Sequence, residues 1–322
     1  MRCLVWFFVF YSVLSCSSAT EENISFKVDV ENIEMLAPSS VELISINRLG
    51  DVYENPIGSV QGVEFYNDRV FVLDLFKSRS VFAYDTYGKF INKTISGQAP
   101  GEVSHPFAFF HDQDKDQLRI WDQAQSAISI FDKDLNFVSR SNCPQLLLNF
   151  AQVNASGDYL LHCYFSRDYV FKLYNSDCDE EKGVFIPDYD YSGVLGVYRS
   201  ISTGESTFLI APLRYSIYEY LGNEVVERYF IDFGKLNITE EEIKSGLISG
   251  NSEAFEGSKV SSLNNIGHND SYISFFTYFK EDILQFVIDR QREELLCLNA
   301  LFDSQIPKCK VYGVTEDNIF YA

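Results

Sequence analysis

Asn67-Asp68-Arg69, VFVLD (70–74), LFKSRS (75–80), VFAYD (81–85), Thr86-Tyr87-Gly88-Lys89 and FINKTI (90–95) follow one another without a gap. Three short apolar runs, rich in Val, Phe, Tyr and Ile, are separated by polar turns, which is the signature of successive strands. The first two are apolar on consecutive residues, the pattern of strands covered on both faces. Blades packed face to face impose that burial.

The first of these runs recurs along the chain. A turn-forming cluster precedes LRIWD (118–122), YLLHC (159–163), FLIAP (208–212), YISFF (272–276) and IFYA (319–322). The starts, Val70, Leu118, Tyr159, Phe208, Tyr272 and Ile319, are 48, 41, 49, 64 and 47 residues apart, which is the period of a β-propeller blade. Second strands follow the middle copies: AISIFD (127–132), YVFKLY (169–174), YSIYEYL (215–221) and DILQFVID (282–289). The expectation is an all-β, six-bladed propeller over residues 24–322, its blades starting near residues 60, 106, 149, 198, 260 and 310. No hairpin follows the sixth copy. Either the strand-like segments ISFKVDV (24–30) and VELISI (41–46) complete the last blade, or that blade is left incomplete with an open edge. The long fourth interval holds Leu236 to Val260, where Thr239-Glu240-Glu241-Glu242 reads as a capping-box start of a short helix in a loop insertion.

The N-terminus reads as an export signal: Arg2, then an apolar run from Leu4 to Leu14 too short to span a bilayer comfortably. Val13-Leu14-Ser15-Cys16 resembles a bacterial lipobox. Residues 1–15 are then the signal, Cys16 the lipid attachment site and 16–23 a tether; an ordinary signal peptide cut near Ala19 is the alternative. The formal charge of −20, from 46 acidic and 26 basic side chains, repels phosphate backbones, so nucleic acid is not an expected partner. Of seven cysteines, Cys143, Cys163, Cys178, Cys297 and Cys309 lie beyond the signal and Cys16. None has zinc-ligand spacing, and buried free thiols are expected.

The stretch Val70–Asp132 resembles NHL-type propellers. With the lipobox, and with Gly97-Gln98-Ala99-Pro100-Gly101-Glu102 matching a G-x-G-P-G-E turn except at Ala99, it is more similar to the six-bladed β-propeller lipoproteins of Gram-negative bacteria. The resemblance implies an envelope location, expected at the outer membrane, and no established reaction. Gly97, Pro100, Gly101 and Glu102 are read as a structural turn.

Candidate chemistry is sparse. Asp74 and Asp122 end equivalent strands, as do Asp85 and Asp132, so they are read as acceptors for turn N–H groups and not as paired catalytic acids. His105, His111, His162 and His268 form no metal-binding spacing, and neither a G-x-S-x-G elbow nor a Walker loop occurs. No cofactor, metal or catalytic residue is expected. Ligand-binding candidates at the channel mouth are Arg119, Trp121, His162, Arg167, Arg199 and Arg214, each on or near a signature strand taken as the inner one. The function expected is a lipid-anchored, monomeric envelope module that binds a glycan, a peptide or an envelope protein; the alternative is a propeller hydrolase or lyase acting on a glycan or lactone.

Overall fold

The structure, a computed structural model, describes residues 23–30, 44–50, 55–66, 68–112, 115–143, 149–152, 159–162, 171–175, 178–185, 200–202, 207–211, 213–221, 224–242, 245, 259–280, 282–298, 311, 313–315 and 320–321. Strand β1 (Ile24–Lys27) comes first. The first sheet is β2 (Val60–Tyr66), β3 (Arg69–Asp74), β4 (Ser80–Asp85) and β5 (Phe90–Lys93). A short parallel pair, β6 (Ile95–Ser96) and β7 (Glu102–Val103), leads to β8 (Pro106–Asp112), β9 (Gln117–Asp122), β10 (Ala127–Asp132) and β11 (Phe137–Asn142). The third sheet is β12 (Asn149–Gln152), β13 (Tyr159–His162), β14 (Phe171–Tyr174) and β15 (Glu180–Phe185). There follow β16 (Ser200–Ser202), β17 (Thr207–Ile210), β18 (Ser216–Tyr220), β19 (Val225–Asp232), β20 (Asn264–His268), β21 (Tyr272–Phe279), β22 (Asp282–Asp289), β23 (Glu294–Cys297), β24 (Gly313–Val314) and β25 (Phe320–Tyr321).

The chain is an all-β protein with a propeller arrangement, but it carries four four-stranded blades and not the six that the repeat count predicts. Two departures account for the difference among the described residues. Strand β16 leaves its own repeat and pairs in parallel with β20, through Ser200↔Ile266, Ile201↔Gly267 and Ser202↔His268, which makes the next sheet five-stranded. The sixth copy contributes only the two-stranded pair β24–β25.

The N-terminal strand is also placed differently from expectation. It does not join the last repeat; β1 lies parallel to β19, from Ile24↔Tyr229 to Lys27↔Asp232, and forms the outer edge of the fourth blade. Its even positions explain the choice. Ile24, Phe26, Val28 and Val30 pack against the core shared by the fourth blade and the five-stranded sheet. Of the second candidate segment, 41–43 lie outside the described residues, and 44–46 are exposed and not in a strand.

Strands β2, β8, β12, β16, β20 and β24 are innermost and succeed one another round a ring in which β24 lies beside β2. The signature strands β3, β9, β13, β17 and β21 are therefore second from the centre, not the inner strands themselves. Their consecutive apolar residues serve two interfaces at once, because alternate side chains on a strand face opposite ways. On β3, Phe71 and Leu73 enter the core shared with the second blade, while Val70 and Val72 enter a separate cluster with Val63, Phe82 and Tyr84. On β9, Leu118 and Ile120 meet that shared core and Trp121 meets the cluster reaching toward the third blade.

Candidate functional site

The strand-end aspartates are spent on turns. Asp122, fully buried, accepts N–H groups from Ser104 at 2.6 Å, His105 at 3.1 Å, Ala124 at 3.1 Å and Gln125 at 3.2 Å, and the Gln125 side-chain amide at 2.8 Å. Asp74 accepts from Gly58, Lys77 and Ser78 at 2.7, 3.0 and 3.3 Å. Burial pushes the Asp74 carboxyl up, but those three donors outweigh it and hold it below the ordinary carboxylate value. Asp85 accepts from Tyr87 and Lys89, both at 2.9 Å and both on one oxygen. Asp132 accepts from Asp134 and Asn136, and Asp289 from Gln291 and Arg292. Asp74, Asp122 and Asp132, occupied on both oxygens, hold the backbone and have little left for an incoming ligand.

The Gly97–Glu102 turn is a second architectural device. The Glu102 carboxylate accepts the Ala99 N–H at 3.0 Å, and the Glu102 N–H returns a bond to the Ala99 carbonyl at 2.9 Å. A Cβ on Gly97 would lie 1.9 Å from that carboxylate, so any larger residue would displace the Glu102 side chain from the Ala99 N–H. Gly101, at φ +86°, holds a left-handed conformation. The Gly97 carbonyl accepts from the Ser104 hydroxyl at 2.6 Å and the Gln125 amide at 3.0 Å, while the Arg140 guanidinium reaches the Glu102 carbonyl and, at 2.5 Å, the Gln125 side-chain oxygen. Turn, Asp122 and the outer strand of the second blade are thus one polar latch.

Of the ligand-binding candidates, Arg119 is buried in an ion pair with Asp112, and Trp121 is buried entirely, packed with Ala108, Phe110 and Ile128. Neither side chain presents a surface to a ligand, because each sits one strand outside the innermost layer. His162 occupies β13 opposite Asn149 and Phe171. Cys16, Arg167 and Arg199 lie outside the described residues. The described cysteines, Cys143, Cys178 and Cys297, are buried.

Burial pushes two histidines toward the neutral form. His111 on β8 stacks its ring on Tyr66, with centroids 3.5 Å apart, and its backbone N–H donates to the Glu64 carboxylate on β2 at 3.0 Å, joining the first blade to the second. Burial pushes its imidazole down to about 4, against a smaller upward pull from Asp112. His268 on β20 accepts the Phe208 N–H on Nε2 at 3.2 Å, and burial, then the Arg290 charge, push it down to about 3. An imidazole that must accept a backbone N–H there serves packing.

Arg214 is placed otherwise. It borders an open cleft of about 360 Å³ on the fourth blade, whose walls include Leu213, Tyr215, Phe230 and Ile238, with Glu227 and Glu240 at its rim. The cleft is rigid at its base. The buried Tyr215 hydroxyl donates to the Val260 carbonyl at 2.6 Å and accepts the Ile238 N–H at 2.9 Å, pinning the insertion to the blade. Burial keeps that phenol protonated, well above its ordinary value. The insertion begins with the capping box read from the sequence: Glu242 Oε2 accepts the Thr239 N–H at 2.8 Å, and Thr239 Oγ1 accepts the Glu242 N–H at 3.2 Å. The Glu242 carboxyl lies below its ordinary value, first through the Thr239 N–H and then through Lys259 at 3.0 Å. Sequence reasoning found Arg214 and the long interval separately. It missed the cleft, because its walls come from a turn, an outer strand and an insertion with no shared motif.

The profile of a family described as a domain of unknown function, DUF4934, matches residues 54–321. The chain belongs to this family. No curated protein sequence matches it. Among solved structures, the DUF4934 chain is similar to a protein of Bacteroides fragilis NCTC 9343 designated as exported, at 18% identity and a TM-score of 0.75, over 91% of this chain and 85% of that one. It is also similar to a DUF4221 family member from Bacteroides vulgatus ATCC 8482, at 11% identity and a TM-score of 0.51 over 74% and 80% of the two chains. A third is a structural genomics protein from Bacteroides thetaiotaomicron VPI-5482, at 10% identity and 0.52 over 78% and 60%. At such identities the likeness is one of fold. Among the described residues, no helix is long and apolar enough to cross a membrane.

Proposed function

We propose that this DUF4934 protein is a lipid-anchored propeller of the bacterial cell envelope that acts as a ligand-binding or protein-interaction module, with the Arg214 cleft as its ligand site. The observation that carries the reading is that Arg214, Glu227 and Glu240 together border an open cleft of about 360 Å³ whose walls include Tyr215 and Phe230. A guanidinium beside aromatic and apolar surface recognises a carboxylate or phosphate carried on an apolar or sugar scaffold. Acylation of Cys16 supplies the anchor, and the exported Bacteroides fragilis protein of similar fold supports an envelope location.

Immobilised acidic glycans and peptides test the ligand reading. A ligand bound by the wild type and at least about ten-fold more weakly by Arg214→Ala, equivalent to about 1.4 kcal/mol or more, is the expected result. Binding indifferent to that change, or conversion of the ligand to product, overturns it. Membrane fractionation of Cys16→Ala tests the anchor: release into the soluble fraction is expected, and unchanged retention refutes acylation.

A further inference from the structure

We infer that the outer edge of the fourth blade is the face this protein holds against its own membrane. The inference rests on the acylation of Cys16 proposed above and adds an orientation to it.

The position of β1 carries the argument. Cys16 precedes Ile24 by eight residues, a span of at most about 28 Å. A folded chain of this length has a radius of gyration of about 20 Å and is roughly 50 Å across. So short a tether cannot bring the far rim to the bilayer. Nor can its exit point slide, because β1 is fixed three ways. Its backbone is paired with β19 from Ile24 to Lys27, and the Val28 N–H continues the ladder to the Asp232 carbonyl at 2.8 Å. The Asn23 side chain donates to the Glu227 carboxylate. Ile24, Phe26, Val28 and Val30 are packed into the core. Glu227 also borders the Arg214 cleft, so the cleft lies beside the point where the tether enters.

The chemistry of this edge fits a tethered contact and not adsorption. Lys27 and Lys235 are exposed there, but so are Glu224, Glu240 and Glu241. On a protein of net charge −20, such a mixed surface has no attraction for anionic headgroups. The partner is therefore the headgroup layer to which the tether ties the edge, whatever its charge.

The experiment uses the full-length protein extracted with its native modification and reconstituted into neutral phosphatidylcholine vesicles containing spin-labelled headgroups. A fluorophore is attached through a single azido-phenylalanine replacing exposed Ser25 or Glu241 on the fourth blade, or Tyr87, which is 83% exposed on the first blade, three places round the ring. Quenching several-fold stronger at 25 and 241 than at 87 is expected, together with loss of quenching at all three positions in Cys16→Ala. A native chain that fails to partition into vesicles overturns the anchor and the orientation with it. A chain that partitions but is quenched equally at the three positions, or most at 87, overturns the orientation and leaves the anchor standing.

Discussion

Replacing Asp122 and Asp85 each with asparagine separates two carboxylates that look equivalent in the sequence. The substitution keeps shape and one acceptor oxygen but turns the other oxygen into a donor. At Asp85 both accepted bonds, from the Tyr87 and Lys89 N–H groups at 2.9 Å, fall on a single oxygen. Asparagine can keep both, so the cost is the difference between a charged and a neutral acceptor at a half-exposed turn, about 1 kcal/mol. At Asp122 both oxygens are used: Oδ1 accepts from His105, Ala124 and Gln125, and Oδ2 from the Ser104 N–H at 2.6 Å and the Gln125 amide at 2.8 Å. An amide nitrogen in the second place faces two donors in a fully buried site. Losing two bonds to a charged acceptor, at about 1.5–3 kcal/mol each, costs about 3–6 kcal/mol. At about 2 °C per kcal/mol for a large domain, Asp122→Asn lowers the melting temperature by about 6–12 °C and Asp85→Asn by about 2 °C. Differential scanning calorimetry reads both. Equal shifts, or a larger one at Asp85, would refute the account of these carboxylates as backbone acceptors ranked by how many oxygens they use.

Three further outcomes are expected. Tyr215→Phe leaves the Val260 carbonyl and the Ile238 N–H without their shared hydroxyl, costing about 2–4 kcal/mol in thermal unfolding; a neutral result would mean that water replaces the hydroxyl and that the cleft base is not rigid. Gly97→Ala sets a methyl group where the Glu102 carboxylate sits, so that side chain swings off the Ala99 N–H and the turn loosens, seen as faster proteolysis between the first two blades, whereas Ala99→Gly leaves proteolysis unchanged. His111 and His268 have folded values of about 4 and about 3, below the unfolded 6.5, so the unfolded chain binds the extra protons. Their stabilisation is complete above about pH 6.5 and is lost as pH falls toward 4, with a slope near pH 5 approaching about 1.4 kcal/mol per pH unit for each histidine. The double variant His111→Gln/His268→Gln flattens that slope in unfolding measured from pH 7 to 4.5, and an unchanged slope assigns the dependence to other groups.

The repeat was legible because burial on both faces leaves a dense, local trace. Phe71 and Leu73 point one way and Val70 and Val72 the other, and a single string of letters records both. The turn roles of Asp85 and Asp132 were legible for a similar reason, since each carboxylate answers donors two to four residues on; Asp74 and Asp122 also hold Gly58, and Ser104 and His105, 16 to 18 residues upstream, to which no local pattern points. Strand exchange was not legible. Whether Ser200–Ser202 pairs within its own repeat or with Ile266–His268 depends on a parallel pairing more than sixty residues away, to which no local pattern points. The same holds for β1, whose alternating apolar residues announce a strand without naming its neighbour. The ranking of site residues failed on depth: Arg119 and Trp121 lie on a strand one layer outside the ring's centre, and sequence periodicity carries no measure of radius.

Placing β1 beside β19 also sets the order in which the molecule can assemble. Asn23 and Glu227, joined by a side-chain bond at this edge, are 204 residues apart, so the first strand to be synthesised has to wait for one of the later ones. Within each antiparallel meander the partners are near neighbours and form early, whereas the fourth blade gains its outer strand only after three complete blades have been made. Contacts of such long sequence separation slow folding far more than they alter final stability. The closing of the fourth blade on the N-terminal strand is then a late folding event, and during the interval Phe26 and Val28 are apolar side chains on an unpaired strand, a segment for a chaperone to shield.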